Sequence, residues 1–62
     1  MKFKELKVGN RFRMVGTQMI YRRVRLIAMR FGSGKINAVG VSNFIKGDHI
    51  LFFPDDEVER VE

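Results

Sequence analysis

Six glycines divide the chain into short segments and limit the length of any helix or strand that it forms. They stand at positions 9, 16, 32, 34, 40 and 47. Turn signals at this spacing are typical of several short β-strands. The chain has 62 residues, enough for one domain but not for a deep cleft between two lobes. We therefore expect one β domain over residues 1–62.

Alternation of polar and apolar residues predicts the first strand. In the segment 11–15, Phe12 and Met14 should face inward and Arg11 and Arg13 outward. Further strands are predicted over 36–41, 49–53 and 58–61, and Gly40 indicates a bulge or a close backbone approach. The apolar run 49–53 is typical of a strand covered on both faces, ending at Pro54. The lead-in residues Phe3, Leu6 and Val8 are expected to fold over the core.

Residues 19–31 fit two alternatives. In a helix, Ile20, Val24, Ile27, Ala28 and Phe31 line up at spacings of three and four. In a strand, Ile20, Val24, Leu26 and Ala28 share one face and Tyr21, Arg23 and Arg25 the other. The β-branched and aromatic content favours the strand. Segment 32–35 is then a hairpin turn.

Five short strands in a chain of this size predict an all-β fold, a single small SH3-like five-stranded barrel, which hides its sheet edges. The chain contains no cysteine, so neither disulfides nor a thiolate zinc site stabilises it. Core packing or self-association must do so, and a homo-oligomer is one outcome. No signal peptide or membrane span is expected, and cytoplasm is the expected location.

The charges are divided unevenly along the chain. The formal net charge is +5, but residues 1–30 carry nine lysines and arginines against one glutamate, whereas residues 31–62 carry three against six acidic residues. A basic half favours a polyanionic partner. The alternative is a solvated surface whose two halves attract each other in the folded protein.

The strand interpretation of residues 19–31 predicts a nucleic-acid-binding face. Tyr21, Arg23 and Arg25 would project together, beside Arg11 and Arg13 of the neighbouring strand. Guanidinium groups pair with phosphates and an aromatic ring stacks on a base. DNA and RNA are equally compatible with this pattern. The candidate nucleic-acid-binding residues are Arg11, Arg13, Tyr21, Arg22, Arg23, Arg25, Arg30 and Lys35.

Both ends of the chain carry a recognisable pattern. It comprises Phe3-x-x-Leu6-x-Val8-Gly9-x-x-Phe12, then Asn37-Ala38-Val39, then Phe53-x-Asp55-x-x-Val58-x-x-Val61. It resembles a group of small, largely uncharacterised proteins of bacteriophages and some bacteria with SH3-type barrels. The resemblance covers most of the chain and implies the fold, but it carries over no binding or catalytic residues. The Arg-rich segment 22–35 departs from the pattern.

This resemblance raises a second functional hypothesis. Arginine is also enriched at protein interfaces, so Arg22, Arg23 and Arg25 would equally suit a protein-binding adaptor or an inhibitor of a host enzyme.

Catalysis and cofactor binding are not expected. Gly34-Lys35 lacks the flanking residues of a phosphate-binding loop. His49 is the single histidine, with Asp48 beside it but no indicated nucleophile. The segment 55–57 lacks the ligand spacing of a calcium loop and is expected to be a solvated turn. The sequence thus predicts a non-enzymatic protein without metal or cofactor.

Overall fold

A computed structural model describes residues 1–28 and 34–61 of the chain. A short 3-10 helix, Phe3–Glu5, precedes five strands: β1 (Arg11–Met14), β2 (Ile20–Ala28), β3 (Lys35–Gly40), β4 (His49–Ile50) and β5 (Val58–Val61). The predicted hairpin turn at 32–35 lies largely outside the described residues. Within the described ranges no helix has the length and apolar character that crossing a bilayer requires.

The strands form one antiparallel sheet in the order β4-β3-β2-β1-β5. The all-β prediction is confirmed, as is the strand alternative for residues 20–28. The sheet is open, because no pairing joins β4 to β5 among the described residues. An irregularity interrupts β2, where four residue steps from Arg23 to Ile27 oppose two steps on β3. Such bulges bend a sheet and increase its twist.

An aromatic cluster fills the core. Phe3, Phe12, Tyr21 and Phe52 contact one another, with ring centroids 5.0–5.7 Å apart in the five contacting pairs. Edge-to-face and offset aromatic pairs add stability beyond the apolar area that they bury. The lead-in supplies one of these rings, as the sequence predicts for Phe3. Leu6 is buried as well, whereas Val8 remains exposed.

Cross-strand register assigns each side chain to one of two sheet faces. The core face carries Phe12, which pairs with Tyr21 across β1 and β2, and Ala38, which pairs with Arg23 across β2 and β3. The opposite face, which we call the outer face, carries Arg11, Arg13, Ile20, Arg22, Val39, His49, Glu59 and Val61. The predicted inward direction of Phe12 is confirmed. Met14 is predicted inward but is 39% exposed at the end of its strand.

The face assignment predicted for β2 is wrong. Tyr21 is buried against Phe12, and Leu26, predicted inward, is 59% exposed. Ile20 lies on the outer face opposite Arg13. The register explains the reversal: β3 buries alternate residues, and pairing Arg23 with Ala38 turns Tyr21 and Arg23 to the core side.

The predicted strand over 49–53 is shorter than expected. Only His49 and Ile50 pair with β3, and beyond them the Asn37 side chain takes the place of a strand partner. Phe52 is buried, but Leu51 and Phe53 are exposed rather than covered on both faces.

The close backbone approach predicted at Gly40 is confirmed. A Cβ atom at this position would lie 2.1 Å from the Ile45 carbonyl oxygen. The loop between β3 and β4 can therefore pack directly on β3, with Gly40 N–H donating to Asp48 O at 2.8 Å.

Candidate functional site

Two neighbouring arginines dominate the outer face. Arg11 of β1 and Arg22 of β2 are directly opposed in the register, and both are exposed. Residues opposed in an antiparallel pair have Cβ atoms about 5 Å apart, and like charges in this arrangement destabilise the sheet. Neither guanidinium has an ion-pair or hydrogen-bond partner in the part of the chain that the structure describes. Two adjacent cations without a partner among the described residues give this part of the outer face a positive charge.

Arg13 lies on the same face but is neutralised. Its Nε and Nη2 atoms both donate to Glu59 Oε2, at 3.1 and 2.9 Å. Glu59 is the opposed residue on β5, so the pair follows directly from the register. The ion pair reduces the contribution of Arg13 to the positive potential of the outer face.

Ion pairs of the described residues join the basic half of the chain to the acidic half. Lys2 and Lys4 lie 3.6 and 3.5 Å from Asp55, and the amino terminus lies 3.6 Å from Glu57. These contacts hold the lead-in against the segment 55–57. Attraction between the two halves therefore accounts for part of the charge division, while Arg11 and Arg22 take part in no such ion pair with the described acidic residues.

Arg23 is a structural residue. Its Nη1 atom donates to the carbonyl oxygens of Phe3, at 3.3 Å, and Leu6, and its guanidinium carbon lies 4.8 Å from the centre of the Phe3 ring. The side chain is half-buried, and Nε is fully buried without a partner among the described residues. Arg23 thus stabilises the lead-in and is not available as a freely exposed phosphate ligand.

The predicted binding residues therefore divide among several environments. The prediction that the Tyr21 ring is exposed is wrong, because the ring is 6% exposed within the aromatic cluster. Arg25 is exposed but does not share a surface with Arg11 and Arg22, because it lines a groove on the core side of β2. Lys35 is exposed at the far end of β3. Arg30 lies outside the described residues.

The groove beside Arg25 is a second surface that sequence reasoning missed. Its volume is about 500 Å³. Its most exposed apolar walls are Val8, Leu26, Leu51 and Phe53. One sequence signal could have revealed it: adjacent apolar residues in an extended segment point to opposite sides, so Phe52 and Phe53 cannot both be buried in one core.

The predicted absence of catalysis rests on the sequence alone. His49 is exposed on the outer face opposite Val39. Within residues 1–28 and 34–61, no cluster of three or more metal-ligating side chains is present.

Comparisons with protein-family models, with curated proteins and with solved structures gave no match to this chain.

Proposed function

We propose that the protein is a non-enzymatic nucleic-acid-binding module whose outer face contacts phosphates through Arg11 and Arg22. The observation that carries the proposal is their direct opposition across β1 and β2 without an acidic partner among the described residues. Opposed like charges cost stability in the free protein. A phosphate group between them relieves this repulsion.

Arginine is well suited to this task. Its planar guanidinium group presents several N–H donors and makes bidentate contacts with phosphate oxygens. Binding of this kind releases counterions and therefore weakens as the salt concentration rises. Lys35, four residues along β3 from Val39, extends the positive charge toward the other end of the sheet.

Base stacking requires an exposed aromatic ring, and the ring of Tyr21 does not meet this requirement. Tyr21 is buried, but Phe44, in the loop between β3 and β4, is 100% exposed. An exposed aromatic ring stacks on unpaired bases without sequence preference. Phe44 therefore takes the stacking role, and single-stranded nucleic acid is the preferred ligand.

An SH3-like fold is part of the same proposal. The support is a small antiparallel sheet of five strands with a bulged second strand. The open edge between β4 and β5 distinguishes this sheet from a closed barrel.

The proposal is tested by fluorescence anisotropy with labelled single-stranded DNA, duplex DNA and single-stranded RNA at two salt concentrations. We expect tightest binding to a single-stranded ligand and a steep dependence on salt. Arg11→Gln and Arg22→Gln should each reduce the slope of log affinity against log salt by about one. Arg25→Gln is the matched control, because it removes the same charge from β2 on the other side of the sheet. An equal effect of all three variants, or no binding at low salt, would overturn the proposal.

A further inference from the structure

The groove between β2 and the segment 51–54 combines an apolar lining with positive charge. Its walls include Val24, Leu26, Leu51 and Phe53, and its basic members are Lys4, Arg23 and Arg25. No acidic residue is among the described residues that line it. Large exposed apolar patches on a small protein mark sites of interaction. Lys4 is paired with Asp55 and Arg23 with backbone carbonyls, so among the described lining residues Arg25 is the exposed cation that favours a negatively charged occupant.

Two local features create the groove. The bulge moves residues 24–26 out of register with β3, and the Asn37 side chain holds Phe52 in place of a regular strand partner. Both β2 and the segment that follows β4 diverge from β3 at this point, so the side chains between these two segments are left uncovered. The groove is therefore built by the backbone path and not by one displaced side chain.

The backbone beside the groove is also available. The pairing of β2 with β1 involves Ile20–Arg22, and Arg23 continues it with bonds to Gly9 and Asn10. Beyond Arg23, no described strand pairs with the edge of Val24–Ala28 that faces away from β3. An unpaired edge presents N–H and C=O groups in the spacing that an extended peptide requires.

We infer that the groove binds an extended segment of a partner protein with alternating apolar and acidic residues. The segment adds to the free edge of Val24–Ala28, places its apolar side chains against Val8 and Leu26, and directs a carboxylate to Arg25. This site is separate from the proposed phosphate-binding face, because Arg11 and Arg22 project from the opposite side of the sheet.

A peptide accounts for more of the groove than a nucleic acid does. Phe53 is the one well-exposed ring among the described lining residues, and the aliphatic walls beside it provide no stacking platform for successive bases. The free strand edge requires backbone donors and acceptors, which a peptide supplies along its whole length.

The inference is tested by selecting a displayed random peptide library on the full-length protein. We expect enriched sequences that alternate apolar and acidic residues. Their binding should weaken by at least about tenfold in Leu26→Glu. Val15→Glu is the matched control, since Val15 and Leu26 are 55% and 59% exposed and only Leu26 lines the groove. Unchanged thermal unfolding of Leu26→Glu confirms that the variant folds.

A second variant and further measurements make the test decisive. Arg25→Glu should weaken peptide binding without altering the apolar walls, and amide exchange at Val24–Ala28 should slow when the peptide is bound. Failure to enrich any peptide, or enrichment of basic peptides, would overturn the inference. Dimerisation in ultracentrifugation that Leu26→Glu abolishes would also overturn it, because the occupant of the groove would then be a second copy of the chain. Loss of oligonucleotide binding in Leu26→Glu would do the same, because the occupant would then be nucleic acid. Peptide binding retained in Arg22→Gln separates this result from that of the proposed phosphate-binding face.

Discussion

The side-chain amide of Asn37 pairs with the backbone of Phe52 as a neighbouring strand would. Asn37 Nδ2 donates to Phe52 O and Phe52 N–H donates to Asn37 Oδ1, both at 2.8 Å. Phe52 is thereby held with its ring in the aromatic cluster while its backbone leaves the sheet. One asparagine thus connects the core to the open groove.

Asn37→Ala is expected to destabilise the fold. It leaves two backbone groups of Phe52 without their partner, and an unsatisfied buried group costs about 1–3 kcal/mol. Urea unfolding measures the change. Asn43→Ala, in the exposed loop after β3, should alter the free energy of unfolding by less than about 0.5 kcal/mol. Equal stability of the two variants would contradict the structural role of Asn37.

Arg23→Ala is expected to lower stability, whereas Arg25→Ala is not. The first substitution removes the donor to the Phe3 and Leu6 carbonyls and the contact with the Phe3 ring. Together these are worth about 1–3 kcal/mol. Thermal unfolding of both variants checks the difference. Oligonucleotide affinity measured well below the unfolding temperature should be nearly unaffected in folded Arg23→Ala, and a large loss there would make Arg23 a direct ligand.

Gly40→Ala is expected to disrupt the loop between β3 and β4. The new Cβ atom meets the Ile45 carbonyl, which also accepts from Asp48 N–H at 2.9 Å. Overpacking of this kind costs about 1–3 kcal/mol. Gly16→Ala provides the comparison, because Gly16 has φ = +84° but open space around its Cα. That variant should lose only about 1–2 kcal/mol, from backbone strain. A Gly40→Ala protein with native stability would show that the loop is not packed as described.

Glu59→Gln is expected to strengthen nucleic-acid binding. The substitution releases Arg13 from its ion pair, so a third arginine joins Arg11 and Arg22 in binding phosphates on the outer face. We expect a tighter complex and a steeper salt dependence in the anisotropy titration. Glu57→Gln changes the net charge equally but lies beside the lead-in. If both variants bind equally tightly, net charge alone governs affinity. The ion pair itself should contribute less than about 1 kcal/mol to stability because both partners are well exposed.

Arg22→Gln is expected to raise stability while it lowers affinity. Removing one of two opposed like charges relieves about 0.2–1 kcal/mol of repulsion, and high salt should reduce the gain. Unfolding of the wild type and of the variant at two salt concentrations measures this. The same substitution in an Arg11→Gln background should bring no electrostatic gain. A stability increase that persists there would exclude repulsion as its cause.

Sequence reasoning predicted the strands better than the faces. The β-branched residues of 20–28 identified a strand, and the alternation around Phe12 oriented β1. For β2, four apolar residues at even positions suggested an inward face, yet Tyr21 and Arg23 occupy it. Hydropathy cannot show that the Arg23 guanidinium donates to carbonyl groups of the lead-in and lies over the Phe3 ring.

The candidate site was predictable only in part. Arg11 and Arg22 were both predicted binding residues, but the predicted face grouped Arg11 with Arg23 and Arg25. The direct opposition of Arg11 and Arg22 depends on the register of β1 and β2, which no single-strand pattern contains. The groove depends on a bulge and on one side-chain amide, and both act between segments distant in sequence. Neither feature leaves a periodic signal.

The lead-in is bonded to the segment before β5, and this governs how the chain must fold. Phe3 N–H donates to Asp56 O at 2.9 Å and Lys4 N–H donates to Pro54 O at 3.0 Å. The backbones of Lys2 and Glu57 form an isolated antiparallel β-bridge. Contacts between such distant segments form only after a long loop has closed, and loop closure slows folding. During synthesis the aromatic cluster stays incomplete until residues 52–58 have left the ribosome. The lead-in therefore reaches its native packing only when the segment 52–58 is available.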